Sequence, residues 1–541
     1  MNKHLRFLCV AALLTLGVTA ACGAAEWQFS VDLPGTRIHA AMWIPPACPR
    51  VRGILLGEQV ILETPVMQHP SIRAAGAKEC LAFVLMNRGA YNEFNYDPHS
   101  PIEERDDLKL QKVLDLLAED SGYAEVATAP LLPIGHSGSA VAVWHIGYWN
   151  PARTIAMVGL HAAAIHPPAW DPKANVNGVP FLGISGEYES WGDPEVPLDM
   201  HWRWLRGTVL EMRASQKRTL MSILVDPGAG HFSFSDAMAD YVSQFIVAAS
   251  EARLPREAVG NGPVQLRQVP LESGWLTDET PLQPGPNQHA AAPWAQYTGD
   301  RSRAFWHLTR DLALANENFR REQRGKKLQM VACGLHGKLL PAEWIIPVPF
   351  EPGPDGQTVS IDAGFLSVTP PTAANSGIPL GHAEGPVQLS LIGGWGGGNQ
   401  QTGAHEFRTA PGIFGPNDSL IVLAYHPGDR QYSYTEAACQ VKFPKFETGG
   451  APQTVEFAPL ADRSAGPAGI ALQASASSGL PVQFYVVRGP AVLDGGNLRL
   501  TVPPLRAKYP IRVTVAAFQH GLPGKWNSTG PVERTFLLTR P

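Results

Sequence analysis

The chain has 541 residues, of which 44% are hydrophobic and 17% charged, and its formal net charge is −5. That length exceeds one ordinary core, so roughly two to four domains are expected. The mild charge, with no dense lysine or arginine run, gives no support to nucleic-acid binding, and no segment past the leader is long and apolar enough to be read as a membrane span.

Residues 1–25 read as an export signal. Lys3 and Arg6 supply a positive start, Phe7 to Val18 an apolar stretch too short for a membrane span, and Ala20 to Ala25 a small-residue exit. Cys22, after Ala20-Ala21, offers a competing reading as a lipid-modified cysteine, although Thr19 stands where such signals usually carry a leucine-like residue. Export makes disulfides permissible. Cys48 with Cys80 and Cys333 with Cys439 are the pairings that stay within one expected domain, but spacing does not choose among three connectivities.

Strands and helices then alternate over residues 26–255. Thr36 to Ile44 reads as a strand stopped by Pro45-Pro46, and Gly53 to Leu56 and Leu81 to Met86 as short strands buried on both faces. Asp106 to Leu117 has apolar residues at helical spacing. An apolar run into Ile134 follows, then a turn of small residues and a helix over Val141 to Trp149. Further strands are expected over Ile155 to Leu160, Val179 to Ile184 and Leu220 to Val225, with helices over His201 to Lys217 and Asp236 to Ala252. Such alternation implies an α/β domain whose sheet is doubly wound and mainly parallel.

Between Leu254 and Pro293 the composition turns to proline, glycine and polar residues, which marks a boundary near residue 256. Residues 256–450 read as a β-rich accessory domain with one long amphipathic helix, Arg301 to Gln323. Its strands are expected at Trp344 to Val348, Val387 to Leu391 and Leu420 to Ala424. The run Gly393 to Gly398 is followed by no helix pattern, so it reads as a loop and not as a nucleotide cradle. Residues 451–541 hold five short strands separated by turns, as in a small antiparallel sandwich.

The chemistry concentrates in Gly135-His136-Ser137-Gly138-Ser139, set between a strand and a helix. In that setting a serine hydroxyl stands above the sheet as a nucleophile, which needs a base within reach and an acid to orient the base. Ser139 replaces the last glycine of the usual pattern, and only a small side chain is required there. His231, in Gly228-Ala229-Gly230-His231 after the strand Leu220 to Val225, is the candidate base. His136 is read as a packing residue. No CxxC or HExxH spacing and no cofactor motif occurs, so neither metal nor cofactor is expected.

With Gly186-Glu187-Tyr188-Glu189 lying between Ser137 and His231, the chain order is serine, acid, histidine. Residues 26–255 thereby resemble the α/β-hydrolase superfamily, over under half of the chain. The resemblance implies the acid three residues after the glycine, Glu189, with Glu187 and Asp193 as rivals. It implies an oxyanion hole from the backbone N–H of Gly138 and of a residue after the strand Gly53 to Leu56, Glu58 or Gln59. The last domain resembles the immunoglobulin-like modules of exported bacterial proteins, carried by Ala474 to Val482 and Gly489 to Leu493.

The expected function is an exported or periplasmic serine esterase acting on acyl substituents of polysaccharide, acetyl or phenolic. Trp275, Trp294, Trp306, Trp344 and Trp395 are available for sugar contact, although tryptophans of this kind more often sit in cores. A serine peptidase of the same fold, or a surface or glycan-binding protein without activity, are the alternatives.

Overall fold

The structure is a computed structural model. It describes residues 27–90, 106–162, 174–189, 200–215, 218–256, 262–279, 284–371, 373, 376–393, 398–416, 418–444, 449–466 and 469–541. The expected leader with Cys22, Asp193 and Trp395 lie outside the described residues.

The first half builds one eight-stranded sheet from β1 (Phe29–Asp32), β2 (His39–Trp43), β3 (Gly53–Glu58), β4 (Leu81–Met86), β5 (Leu131–His136), β6 (Met157–Leu160), β7 (Pro180–Gly186) and β8 (Leu220–Asp226). Their spatial order is β1-β2-β4-β3-β5-β6-β7-β8. β1 with β2 and β2 with β4 are antiparallel, and the remaining neighbours are parallel. This is the α/β-hydrolase arrangement expected from the sequence. β3, β4, β5, β7 and β8 are buried along their whole length, which is why they read as continuous apolar runs. The helices are α1 (Glu63–Gln68), α2 (Pro70–Glu79), α3 (Asp106–Ser121), α4 (Ala140–Trp149), α5 (Met200–Ser215) and α6 (Asp236–Arg253). Pro70 opens α2, where its missing N–H costs no helical bond. Ser235 caps α6 by accepting the Met238 N–H.

The regular structure of the second half is mainly β strand. A four-stranded sheet combines Ile346–Val348, Thr435–Lys442, Ser419–His426 and Gln388–Gly393 in that order. The single long helix expected over Arg301–Gln323 is not formed. A strand, Phe305–His307, a nine-residue helix, Arg310–Asn318, and a short turn of 3-10 helix, Arg321–Gln323, stand there instead. Phe305 and Trp306 are claimed by cores on either side of a ladder with Trp275–Thr277, and Thr309 caps the helix that follows by accepting the Leu312 N–H. Tertiary burial overrides the helical spacing.

The last stretch packs a four-stranded sheet, centred on Ile511–Phe518 and Val532–Thr539, against shorter strands as a β-sandwich. Its core is continuous with that of the first half: Val455, Leu498, Val513 and Phe536 share one apolar cluster with Phe29, Met42, Val113 and Leu117. Arg506 spans the seam to Glu125, and Arg488 and Arg512 both reach Asp120. Two disulfides form, Cys48–Cys80 and Cys333–Cys439, the second tying the strand Val331–Leu335 to Thr435–Lys442.

Candidate active site

β5 ends at His136, and the chain turns through Ser137–Ser139 into α4. Ser137 is held at φ +52°, a left-handed conformation that costs a non-glycine residue about 1–2 kcal/mol. The turn is tight. A Cβ on Gly135 would lie 2.7 Å from Ser139 Oγ and 2.8 Å from the Ser139 carbonyl carbon, so that position requires glycine, while Ser139 fits. Ser139 also has a task. Its hydroxyl donates to Glu63 Oε1 at 2.5 Å, and the same oxygen accepts the His136 N–H at 2.6 Å. Glu63 Oε2 takes the N–H groups of Val60 and Ile61. This wholly buried carboxylate, at the start of α1, therefore knits the turn after β3 to the turn after β5. Burial raises its carboxyl, and those hydrogen bonds pull it partly back.

Ser137 Oγ lies 2.9 Å from His231 Nε2, and His231 Nδ1 lies 2.7 Å from Glu189 Oε2. The three residues expected from the sequence thus form one hydrogen-bonded chain. Glu187 faces elsewhere, accepting the Gly228 N–H at 2.7 Å. Burial would raise the Glu189 carboxyl, but the charge of His161 and hydrogen bonds from His161 and His231 outweigh it and hold it well below the usual carboxylate range. His136 is buried, with Nε2 2.9 Å from the His231 carbonyl oxygen. Desolvation, reinforced by His231 and His161, keeps it far below its ordinary value and hence neutral.

Gly138 follows the serine with open space where a Cβ would stand. Of the two residues considered for the second amide donor, Gln59 has its N–H on the Met86 carbonyl at 2.9 Å. Glu58 ends β3 with its carboxylate accepting the Gly89 N–H at 3.0 Å.

Several residues around this chain escaped the sequence reading. His161, just past β6, contacts the other oxygen of Glu189 at 2.7 Å. Glu436, on the strand Thr435–Lys442 of the second half, accepts the Gly230 N–H at 3.0 Å and the Tyr434 hydroxyl at 2.7 Å. Burial pushes its carboxyl up to about 7. Gly228 (φ +75°) approaches the residue just before that strand so closely that a Cβ would lie 2.3 Å from the Tyr434 carbonyl oxygen. Asp226, at the end of β8, pairs with Arg320 at 3.1 Å. No spacing rule links residues of the second half to a loop some 200 positions earlier, so only coordinates could reveal them.

The sheet order and its flanking helices are those of the α/β-hydrolase fold, with Ser137, His231 and Glu189 hydrogen-bonded in series at the end of its parallel strands. No family model and no curated protein matches the chain. Among solved structures it is similar to LpqC, a poly(3-hydroxybutyrate) depolymerase from Bordetella parapertussis, at 13% identity over 43% of this chain and 92% of that one, TM-score 0.29. An S-formylglutathione hydrolase from Agrobacterium tumefaciens aligns at 15% identity over 41% and 93% of the chains, TM-score 0.30. A soluble variant of monoglyceride lipase from Saccharomyces cerevisiae aligns at 11% over 42% and 96%, TM-score 0.28. At these identities the likeness is one of fold alone.

Proposed function

We propose that the chain is a serine hydrolase that cleaves carboxylic esters through an acyl-enzyme on Ser137. The observation that carries this reading is the unbroken chain Ser137 Oγ, His231, Glu189, with contacts of 2.9 and 2.7 Å. His231 takes the serine proton as Oγ attacks the ester carbonyl, then returns it to the departing alcohol. Glu189 orients the ring and offsets the imidazolium charge. The Gly138 N–H and the backbone at Glu58 are assigned to the developing oxyanion. A water activated by His231 then releases the acid and restores Ser137.

The substrates we assign are acetyl or phenolic esters on polysaccharide. The half-exposed Trp344 beside His231, suited to stacking on a sugar or phenolic ring, supports that choice. The leader-like start and two disulfides support export, and the terminal sandwich is assigned as an immunoglobulin-like module. The test is labelling with a fluorophosphonate, mapping of the labelled peptide, and assay of acetate or ferulate release from a polysaccharide panel, with S137A as control. Labelling at Ser137 with release lost in S137A is expected. Absence of labelling would indicate a binding protein without activity, and turnover of peptide amides in place of esters would indicate a peptidase.

A further inference from the structure

Two imidazoles share one carboxylate. Glu189 gives Oε2 to His231 Nδ1 and Oε1 to His161 Nδ1, each at 2.7 Å, and Oε1 also accepts the Gly186 N–H at 2.6 Å. The far nitrogen of His161, Nε2, lies 2.8 Å from the Ser233 carbonyl oxygen. Both rings and the carboxylate are buried. A neutral imidazole has one N–H, yet both nitrogens of His161 face oxygen acceptors, and neither acceptor brings a proton while Glu189 is ionised. A neutral ring would set one nitrogen lone pair against an oxygen, and the ring is fully buried. An imidazolium satisfies both contacts.

We infer that His161 is a standing imidazolium, a positioning residue that locks Glu189 as an anion and lowers the basicity of His231. The inference rests on the proposed triad, because it concerns how that triad is tuned. Desolvation opposes a charged His161, but the charge of Glu189 and its hydrogen bond overcome this and raise the group above its ordinary value. The other groups around it agree. Asp226, paired with Arg320 at 3.1 Å, adds negative charge from β8. Glu436 adds it only in its ionised form and holds its proton below about pH 7, so in the acid range Glu189 carries the effect. The rings of His136 and His231 stand 6.1 and 6.2 Å away. His136 is kept neutral and so adds no competing charge.

The functional consequence concerns acid pH. A lone carboxylate beside a catalytic histidine stabilises its protonated form and so withdraws the base as pH falls. With a second cation on the same carboxylate, that pull on His231 is reduced and Glu189 stays ionised. The acid limb of activity therefore lies lower than it would without His161.

Two experiments test this. In a neutron crystal structure of the wild-type protein at pH 7, deuterons are expected on both nitrogens of His161 and none on Glu189. A deuteron on Glu189, or only one on His161, overturns the inference without reference to activity. In H161Q, whose amide can still donate to Glu189, the acid limb of kcat/KM is expected to move up by about one pH unit or more. A loss of kcat or stability with the limb unmoved would reduce His161 to a packing role. If the wild-type protein fails to label with fluorophosphonate, the esterase reading falls while the neutron result still decides the charge of His161.

Discussion

Trp344 belongs to the β-rich second half, yet its ring stands 5.2 Å from that of His231, and its indole N–H donates to the Glu189 backbone carbonyl at 3.3 Å. It is 48% exposed and also meets Phe232 at 5.6 Å, so it forms a wall beside the histidine and does not lie in a core. W344A is expected to lower kcat/KM about tenfold for phenolic or sugar esters, the equivalent of about 1.4 kcal/mol, and far less for a small acetate ester. Equal losses on both substrates would show that Trp344 only steadies the histidine.

The serine, histidine and glutamate act as a unit. S137A is expected to lower kcat by about four to six orders of magnitude, and E189Q by about four, because the imidazole then lacks its orienting anion. Steady-state assay of both variants, with circular dichroism to confirm folding, checks this. Near-wild-type turnover in E189Q would remove Glu189 from the mechanism.

Ser137 also stores strain. Glycine relieves the left-handed backbone penalty at the cost of unfolded-chain entropy, so S137G is expected to gain about 1 kcal/mol of stability while losing activity. S137A keeps the strain and gains nothing comparable. Denaturant melts of the three proteins would decide the matter, and S137G melting no later than S137A would contradict it.

Glu436 predicts a pH effect on stability. Its carboxyl is pushed from 4.5 up to about 7 by burial, so between those values the folded chain holds a proton that the unfolded chain has released. Stability therefore falls as pH rises through that window, by on the order of 3 kcal/mol from this group. E436Q keeps an acceptor for the Gly230 N–H but cannot titrate. Thermal melts from pH 4.5 to 7.5 should decline more steeply for the wild-type protein than for E436Q, and parallel curves would refute the assignment.

The disulfide Cys333–Cys439 closes a span of 106 residues on the strand that carries Glu436. Replacing both cysteines by alanine is expected to cost about 4 kcal/mol and to shorten the half-life of activity at elevated temperature. An unchanged half-life would mean that the strand is held by packing alone.

Much of the first half was legible because its strands are short apolar runs bounded by turn residues, as at Leu81–Met86, and because the serine, acid and histidine fall on loops after such runs. α1 and α2 were missed. Val60, Ile61, Leu62, Val66 and Met67 form an apolar group interrupted by Pro65 and followed by Pro70, and although Pro70 marks a helix start, no clean amphipathic period accompanies it. The helix expected over Arg301–Gln323 went wrong for the opposite reason, since its apolar spacing was real but served two different cores. Glu63, His161 and Glu436 were invisible because a buried charged residue has no local signature; its partners are assembled only by the fold.

The shared apolar cluster of Phe29, Val113, Val513 and Phe536 bears on how such a chain can change over time. A terminal module that owned its interior could be traded between genes as a cassette. Here removing either side would open the interior of the other to water, so exchanging the terminal part would demand matching changes on the opposite face of the seam.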